Sequence, residues 1–232
     1  MANDLKNRWL NLVSDYDMPT SAAEAMFRVI KAHYTEPHRA YHNLNHLEEA
    51  FTVFDSVQDK LKNSNTVAFA IFFHDIIYDV TQPDNEEKSA EFALPLLHTI
   101  GLAEGDIAEI TKMILTTKTH QCSDHNSDIA FMLDIDMSIL AADTKRYAEY
   151  AQQIRAERSN IADKDFFKAR RDLFLKPCLA QDRIFHTDYF KDLLEGKARQ
   201  NMKAEIDLLT QELAKLESNK NDPLRSKSSF KK

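Results

Sequence analysis

The amino-acid sequence predicts an all-α protein folded as a single helical bundle. Three observations carry this expectation. Glycine is scarce, with 3 in 232 residues against an average usage of about 7%. Apolar residues recur at spacings of three and four along most of the chain, the period of an amphipathic helix. Two strongly apolar runs are interrupted by His and Asp, charged groups that a core does not tolerate unpaired. Scarce glycine also argues against phosphate-cradling loops, a dinucleotide-binding turn and a many-stranded β fold, all of which draw on it.

The elements follow in order. Leu5, Trp9, Leu12 and Val13 mark a first helix. Pro19-Thr20-Ser21 offers the start of a second, with Ala25, Met26, Val29 and Ile30 inward and Pro37 as its stop. A third begins near Tyr41 and carries Leu47, Ala50, Phe51 and Phe54. Thr66 to Tyr78 is apolar nearly all round, which predicts a buried helix. A loop over Thr81 to Asn85 precedes a helix reaching about Thr99, and Gly101 and Gly105 punctuate the turn before the helix at Ile107 to Leu115. Gln121 to Ser127 is polar and loop-like, and Ile129 to Leu140 is again apolar. Further helices are expected near 143–158, 163–178 and 185–216. In the last, Met202, Ile206, Leu209, Leu213 and Leu216 form a heptad-like seam, to be packed on its own bundle or on a second copy of the chain as a homodimer. Residues 1–217 therefore read as one domain. Residues 218–232 read as a basic tail expected to be disordered.

Net charge is −7, the tail carrying +4 and the remainder −11. This balance indicates no nucleic-acid face. Cys122 and Cys178 are too few for a disulfide framework or a cysteine zinc site, which fits a reducing compartment. No secretory leader pattern and no apolar run of about 18 residues is present, so a cytoplasmic protein with no membrane association is expected.

Three segments carry chemistry. Phe72-Phe73-His74-Asp75-Ile76-Ile77 and Phe131-Met132-Leu133-Asp134-Ile135-Asp136-Met137 place carboxylates in apolar helices. Buried carboxylates need a partner or a metal. Tyr41-His42-Asn43-Leu44-Asn45-His46 puts two imidazoles at i and i+4, on one face if helical. Mixed imidazole and carboxylate donors suit Mn²⁺, Fe²⁺, Co²⁺, Ni²⁺ or Zn²⁺, or Mg²⁺ with fewer histidines. Asp134 and Asp136 diverge by about 200° on a helix, so both are not expected on one ion.

The order His46, His74-Asp75, Asp136 resembles the H…HD…D pattern of the HD superfamily of metal-dependent phosphohydrolases. YHNLNH at 41–46 is similar to the YHNxxH signature of the cyclic-nucleotide phosphodiesterases. RAYHNLNHLEEA, FFHDIIYD, NEEKSA and LDIDMSIL resemble a small bacterial family of predicted HD phosphohydrolases. The resemblance implies an HD-domain helical bundle with one or two metal ions at its centre. His46, His74, Asp75 and Asp136 match the ligands. Asp75 also matches a group that bridges ions or orients the attacking water, and His42 the acid that protonates the leaving oxygen. Asp134 is then a capping or supporting residue, the alternative being that it replaces Asp136 as the last ligand. The implied activity is hydrolysis of a phosphate ester or anhydride of a small molecule, a nucleotide in the first instance, by metal-activated water. A non-catalytic nucleotide-binding or regulatory module and a di-iron oxygen-using centre are the rival expectations.

Softer candidates surround this set. His120 and Lys118 are candidate substrate contacts, His120 also a second-metal ligand, and Asn85 and Glu86 border the site or cap a helix. Asp79 orients a ligand or holds Arg39. His33, His38, His98, His125 and His186 are expected to be structural or exposed. Arginines such as Arg155, Arg158, Arg170, Arg171 and Arg199 bind a phosphate or pair with acids along helix faces, for example Glu157 or Asp172.

Overall fold

Local periodicity is realised as helix throughout. The computed structural model describes residues 2–220, and every regular element among them is helical. The succession is α1 (Ala2–Val13), α2 (Thr20–His33), α3 (Leu44–Asp55), α4 (Ser64–Phe73), α5 (Asn85–Ile100), α6 (Glu104–Thr116), α7 (Asp128–Met137), α8 (Thr144–Glu157), α9 (Asp163–Ala169), α10 (Lys176–Ala180) and α11 (Asp188–Lys220). Short 3₁₀ turns lie at Gln58–Lys60 and Ser138–Ala141. Arg170–Leu175, between α9 and α10, winds as a π-helix. The expected all-α bundle is what forms.

Two helices have no polar face. Thr66 to Phe73 of α4 and Ile129 to Ile135 of α7 are buried at every residue. They lie against each other at the centre, with α3 and α6 packed on both. Trp9 of α1 seals one side. Its ring meets Phe69, Phe72 and Phe73 edge-on at 5.2–5.9 Å, and its Nε1 donates to the Ala23 carbonyl at 2.9 Å. Edge-to-face contacts add to the area term of a fully buried ring.

The helix expected near 163–178 is interrupted by the π-helical stretch, the one expected near 185–216 spans Asp188–Lys220, and α7 passes into a 3₁₀ turn at Ser138; two further differences build the site. The third helix begins at Leu44, not Tyr41, because Asn43 caps it by accepting from the Asn45 amide at 2.8 Å. His42 therefore sits in the preceding turn rather than on a helical face with His46. The apolar helix ends at Phe73, not Tyr78. The buried guanidinium of Arg39 donates to the carbonyls of Asp75 (2.6 Å), Ile76 (2.9 Å) and His42 (3.1 Å). Those carbonyls are thus satisfied outside a helix, and the chain turns. Asp79 does not hold Arg39; it caps its own loop through Thr81, and Glu36 takes the guanidinium at 2.9 Å.

The heptad-like seam of α11 faces its own bundle. Met202, Leu209 and Leu213 are buried within the single chain, and α11 packs on α9, on the π-helical stretch and on Ser138–Ala141. Of the predicted basic tail, residues 218–220 complete α11, and 221–232 lie outside the described residues. Among the described residues no helix is long and apolar enough to cross a membrane. Both cysteines are free.

Trp9→Ala removes the ring on which α1 is seated. It is expected to cost about 3–5 kcal/mol of unfolding free energy, read from the midpoint of urea denaturation at unchanged slope.

Candidate metal centre

Three helix ends meet at one point. His46 lies in the first turn of α3, His74 is the residue that closes α4, and Asp136 lies in the last turn of α7. Each follows from local sequence: the Asn43 cap starts α3, Arg39 stops α4, and Ser127, accepting from the Ala130 amide, starts α7 in register.

The donor atoms converge. His46 Nε2 and His74 Nε2 are 3.1 Å apart. Asp136 Oδ1 is 3.3 Å from the first and 3.5 Å from the second. Asp75 Oδ2 is 3.1 Å from His74 Nε2 and 3.7 Å from His46 Nε2. Donors each about 2.0–2.2 Å from a shared ion stand about 3.0–3.5 Å apart, in octahedral or tetrahedral arrangement. His46, His74 and Asp136 form a group that could hold a metal ion. The tautomer fits too. His74 Nδ1 lies 2.9 Å from the Ile71 carbonyl, which can only accept, so Nδ1 carries the proton and Nε2 presents its lone pair.

Charge in the cluster is mutually supporting. Burial disfavours the His74 cation, but Asp75 and Asp136 outweigh it and hold its pKa well above the ordinary value. Burial pushes both carboxylates up, and the imidazoles more than reverse this, His74 and His42 for Asp75 and His120, His46 and His74 for Asp136. The carboxylates thus favour a proton on His74, one that a bound metal would displace.

A second unit stands beside the cage. Glu157, at the end of α8, is buried and acts as an acceptor hub. Its Oε1 receives the amides of Tyr41 (2.7 Å) and His42 (2.9 Å), and its Oε2 receives the Tyr78 hydroxyl (2.8 Å) and His42 Nδ1 (2.7 Å). Tyr78 also stacks on the His42 ring at 4.1 Å. Burial raises the Glu157 pKa, but its bonds to His42 bring it down to about 2. Burial lowers the His42 pKa, and Asp75 and Glu157 raise it above the usual value. His42 is thus fixed in orientation and favoured as the cation, and its Nε2 has no hydrogen-bond partner among the described residues.

The remaining candidates fall into two groups. His120 Nε2 bonds Asp136 Oδ2 at 3.0 Å, on the carboxylate oxygen turned away from His46 and His74. His120 has φ of 49°, uncommon without glycine, and its carbonyl accepts from His186 Nε2 at 2.9 Å. Asp134 points elsewhere. It accepts from the amides of His186 (2.6 Å) and Thr187 (2.7 Å) and from Thr187 Oγ1 (2.7 Å), fixing the segment that leads into α11. Lys118 Nζ binds the Pro83 carbonyl at 2.7 Å and Glu87. Asn85 bridges the backbone of Asp79 on both sides, at 2.9 Å each. Glu86 lies half-buried in the first turn of α5, near the Lys118 charge. His98 is at the surface opposite Glu104.

Three contributors escaped sequence reasoning. Glu157 reads as an acid beside arginines on a solvent face, yet Arg155 pairs with Asp163 and leaves Glu157 to His42. Arg39 and Tyr78 lie inside the motif segments, but their roles depend on contacts across the chain. No signal in the sequence joins residue 157 to residue 42.

Comparison with family models, curated proteins and solved structures gives no match for this chain.

Asp136→Asn is expected to lose bound metal, whereas Asp134→Ala keeps it and unfolds about 1–2 kcal/mol more easily, as a lost cap does; metal analysis and denaturation of the two proteins separate the roles. Metal binding should also release protons and weaken as pH falls, because the raised His74 pKa means a proton occupies its ring over a wider range. Calorimetry at one pH in two buffers of different ionisation enthalpy reads this release.

Proposed function

We propose that this chain is a metal-dependent phosphohydrolase acting on a small phosphorylated molecule. The observation that carries the reading is the pairing of a cage of two buried histidines and two half-buried carboxylates with an imidazole, His42, presented next to it on a buried glutamate. The order of these residues along the chain also matches the HD pattern, which supports the same reading. His46, His74 and Asp136 would hold the ion, with Asp75 as the fourth donor. Two imidazoles with two carboxylates favour Mn²⁺, Fe²⁺, Co²⁺, Ni²⁺ or Zn²⁺ over Mg²⁺. One ion fits the cage, and His120 then holds the outer oxygen of Asp136 as a supporting partner. The two free thiols suit a reducing compartment, and we place the protein in the cytoplasm.

When bound, such an ion supplies Lewis acidity toward a phosphoryl oxygen and a water acidic enough to ionise near neutrality. The chain supplies the rest. The two carboxylates offset the cation's charge and leave acceptor capacity to orient the attacking water. His42, protonated and with Nδ1 held by Glu157, gives its Nε2 proton to the departing oxygen. A group titrating near working pH suits this proton transfer. Glu157 is a positioning residue: it fixes the ring and favours its charged form.

Asp75→Ala is expected to abolish metal binding and phosphate release together; full turnover in that variant would sink the proposal. His42→Asn should keep the metal and lower kcat by about 10²–10⁴-fold. Glu157→Gln withdraws the charge that raises the His42 pKa, so the alkaline limb of the kcat/KM profile should move to lower pH. An unmoved limb would show that Glu157 acts on structure alone.

A further inference from the structure

Beside His42 lies an open groove of about 400 Å³, lined by Tyr78, Tyr150, Phe166, Leu173 and Phe174, with Arg158 also on its wall. Three features of it have no structural explanation. Arg158 is half-buried, yet its guanidinium makes no hydrogen bond or ion pair among the described residues. Arg39, Arg146, Arg155, Arg170, Arg171 and Arg199 each hold a carboxylate. Leu173 is 78% exposed, the most exposed large apolar side chain described. It projects from the π-helical stretch Arg170–Leu175, and such wide turns concentrate at functional sites. Arg170 itself is engaged: it is buried against Glu205 at 2.9 Å, with its guanidinium over the rings of Phe174 (4.5 Å) and Tyr150 (5.2 Å).

The chemistry of the walls defines an occupant. Tyr150 and Phe166 form the buried floor, with Arg170 and Arg155 over their faces, so the accessible apolar surface is that of Leu173, Phe174 and Tyr78, and it takes the flat side of an apolar ring. An unpaired guanidinium takes an anion, phosphate best of all, through paired charge-assisted bonds. His42 lines the same groove, and the group it protonates is the leaving oxygen. We propose that the groove binds the leaving alcohol and that Arg158 binds a second phosphate carried by that alcohol. The substrate is then a doubly phosphorylated aromatic alcohol of nucleoside size. This rests on the phosphohydrolase reading for the reaction but not for the binding. In the reaction a water oxygen bonds to phosphorus as the phosphorus–alcohol bond breaks. The proton from His42 goes to the alcohol oxygen, and the phosphate on Arg158 is untouched.

Binding and turnover test the two readings separately. In the first measurement the full chain, freed of metal with EDTA, is titrated with adenosine 5′-monophosphate, adenosine and inorganic phosphate. The monophosphate should bind at least about 10-fold more tightly than either other probe. Arg158→Gln should bring it down to the affinity of adenosine while leaving adenosine unchanged. Leu173→Glu, at an exposed position that folding tolerates, should weaken both adenosine compounds. Equal binding of the monophosphate by Arg158→Gln and wild type overturns the proposal, as does inorganic phosphate binding as well as the monophosphate. In the second measurement the metal-loaded chain is given adenosine 3′,5′-bisphosphate. Release of the 3′-phosphate supports both readings. No release, with monophosphate binding intact, overturns the hydrolase reading and leaves the groove assignment standing.

Discussion

Two imidazole nitrogens 3.1 Å apart, faced by two carboxylates inside the apolar centre of a bundle, form the constraint on which the rest of this structure depends. Such groups are costly to bury unless something binds them all. The carboxylates favour a proton on His74, and the group His46, His74 and Asp136 could hold a metal ion in its place. The two fully apolar helices have their sense in this. α4 and α7 bury every face between Thr66 and Phe73 and between Ile129 and Ile135, and their ends deliver His74 and Asp136 to one place. Donors held on rigid elements are set by packing and not by loop motion.

The supporting residues come from far away in sequence. Arg39 stops α4 by taking the carbonyls of Asp75 and Ile76, and by also taking that of His42 it joins the His42 turn to the His74-Asp75 turn. Glu157 reaches back 115 residues to fix His42. Asp134, two residues before Asp136, faces the opposite way and secures the entry to α11. One short helix thus separates a carboxylate facing the two histidines from one that secures the fold, by its period alone.

Much of this was legible in the chain before the structure. Helical period and scarce glycine announced the all-α bundle, and the apolar runs announced which helices lie inside. The carboxylates in those runs announced a polar centre, and the 200° divergence showed that Asp134 and Asp136 do not share one ion, while the choice of Asp136 rested on the resemblance to the HD pattern. What was not legible depends on distance in space. The early start of a helix at Tyr41 failed because Asn43 caps locally, and the long helix to Tyr78 failed because Arg39 satisfies its would-be carbonyls. Glu157 looked like half of a surface ion pair because nothing local shows that Asp163 takes Arg155 first. The seam of α11 left packing on its own bundle and pairing with a second copy both open, and only the structure shows that Met202, Leu209 and Leu213 are buried within the same chain.

The most direct measurement is the metal content of the anaerobically purified chain beside that of Asp75→Ala and Asp136→Asn, by elemental mass spectrometry. The expected result is about one transition-metal ion per wild-type chain and loss of it in both variants. A wild-type chain that takes up no ion even after incubation with Mn²⁺, Fe²⁺, Ni²⁺ and Zn²⁺ would contradict the metal centre and, with it, the hydrolase reading.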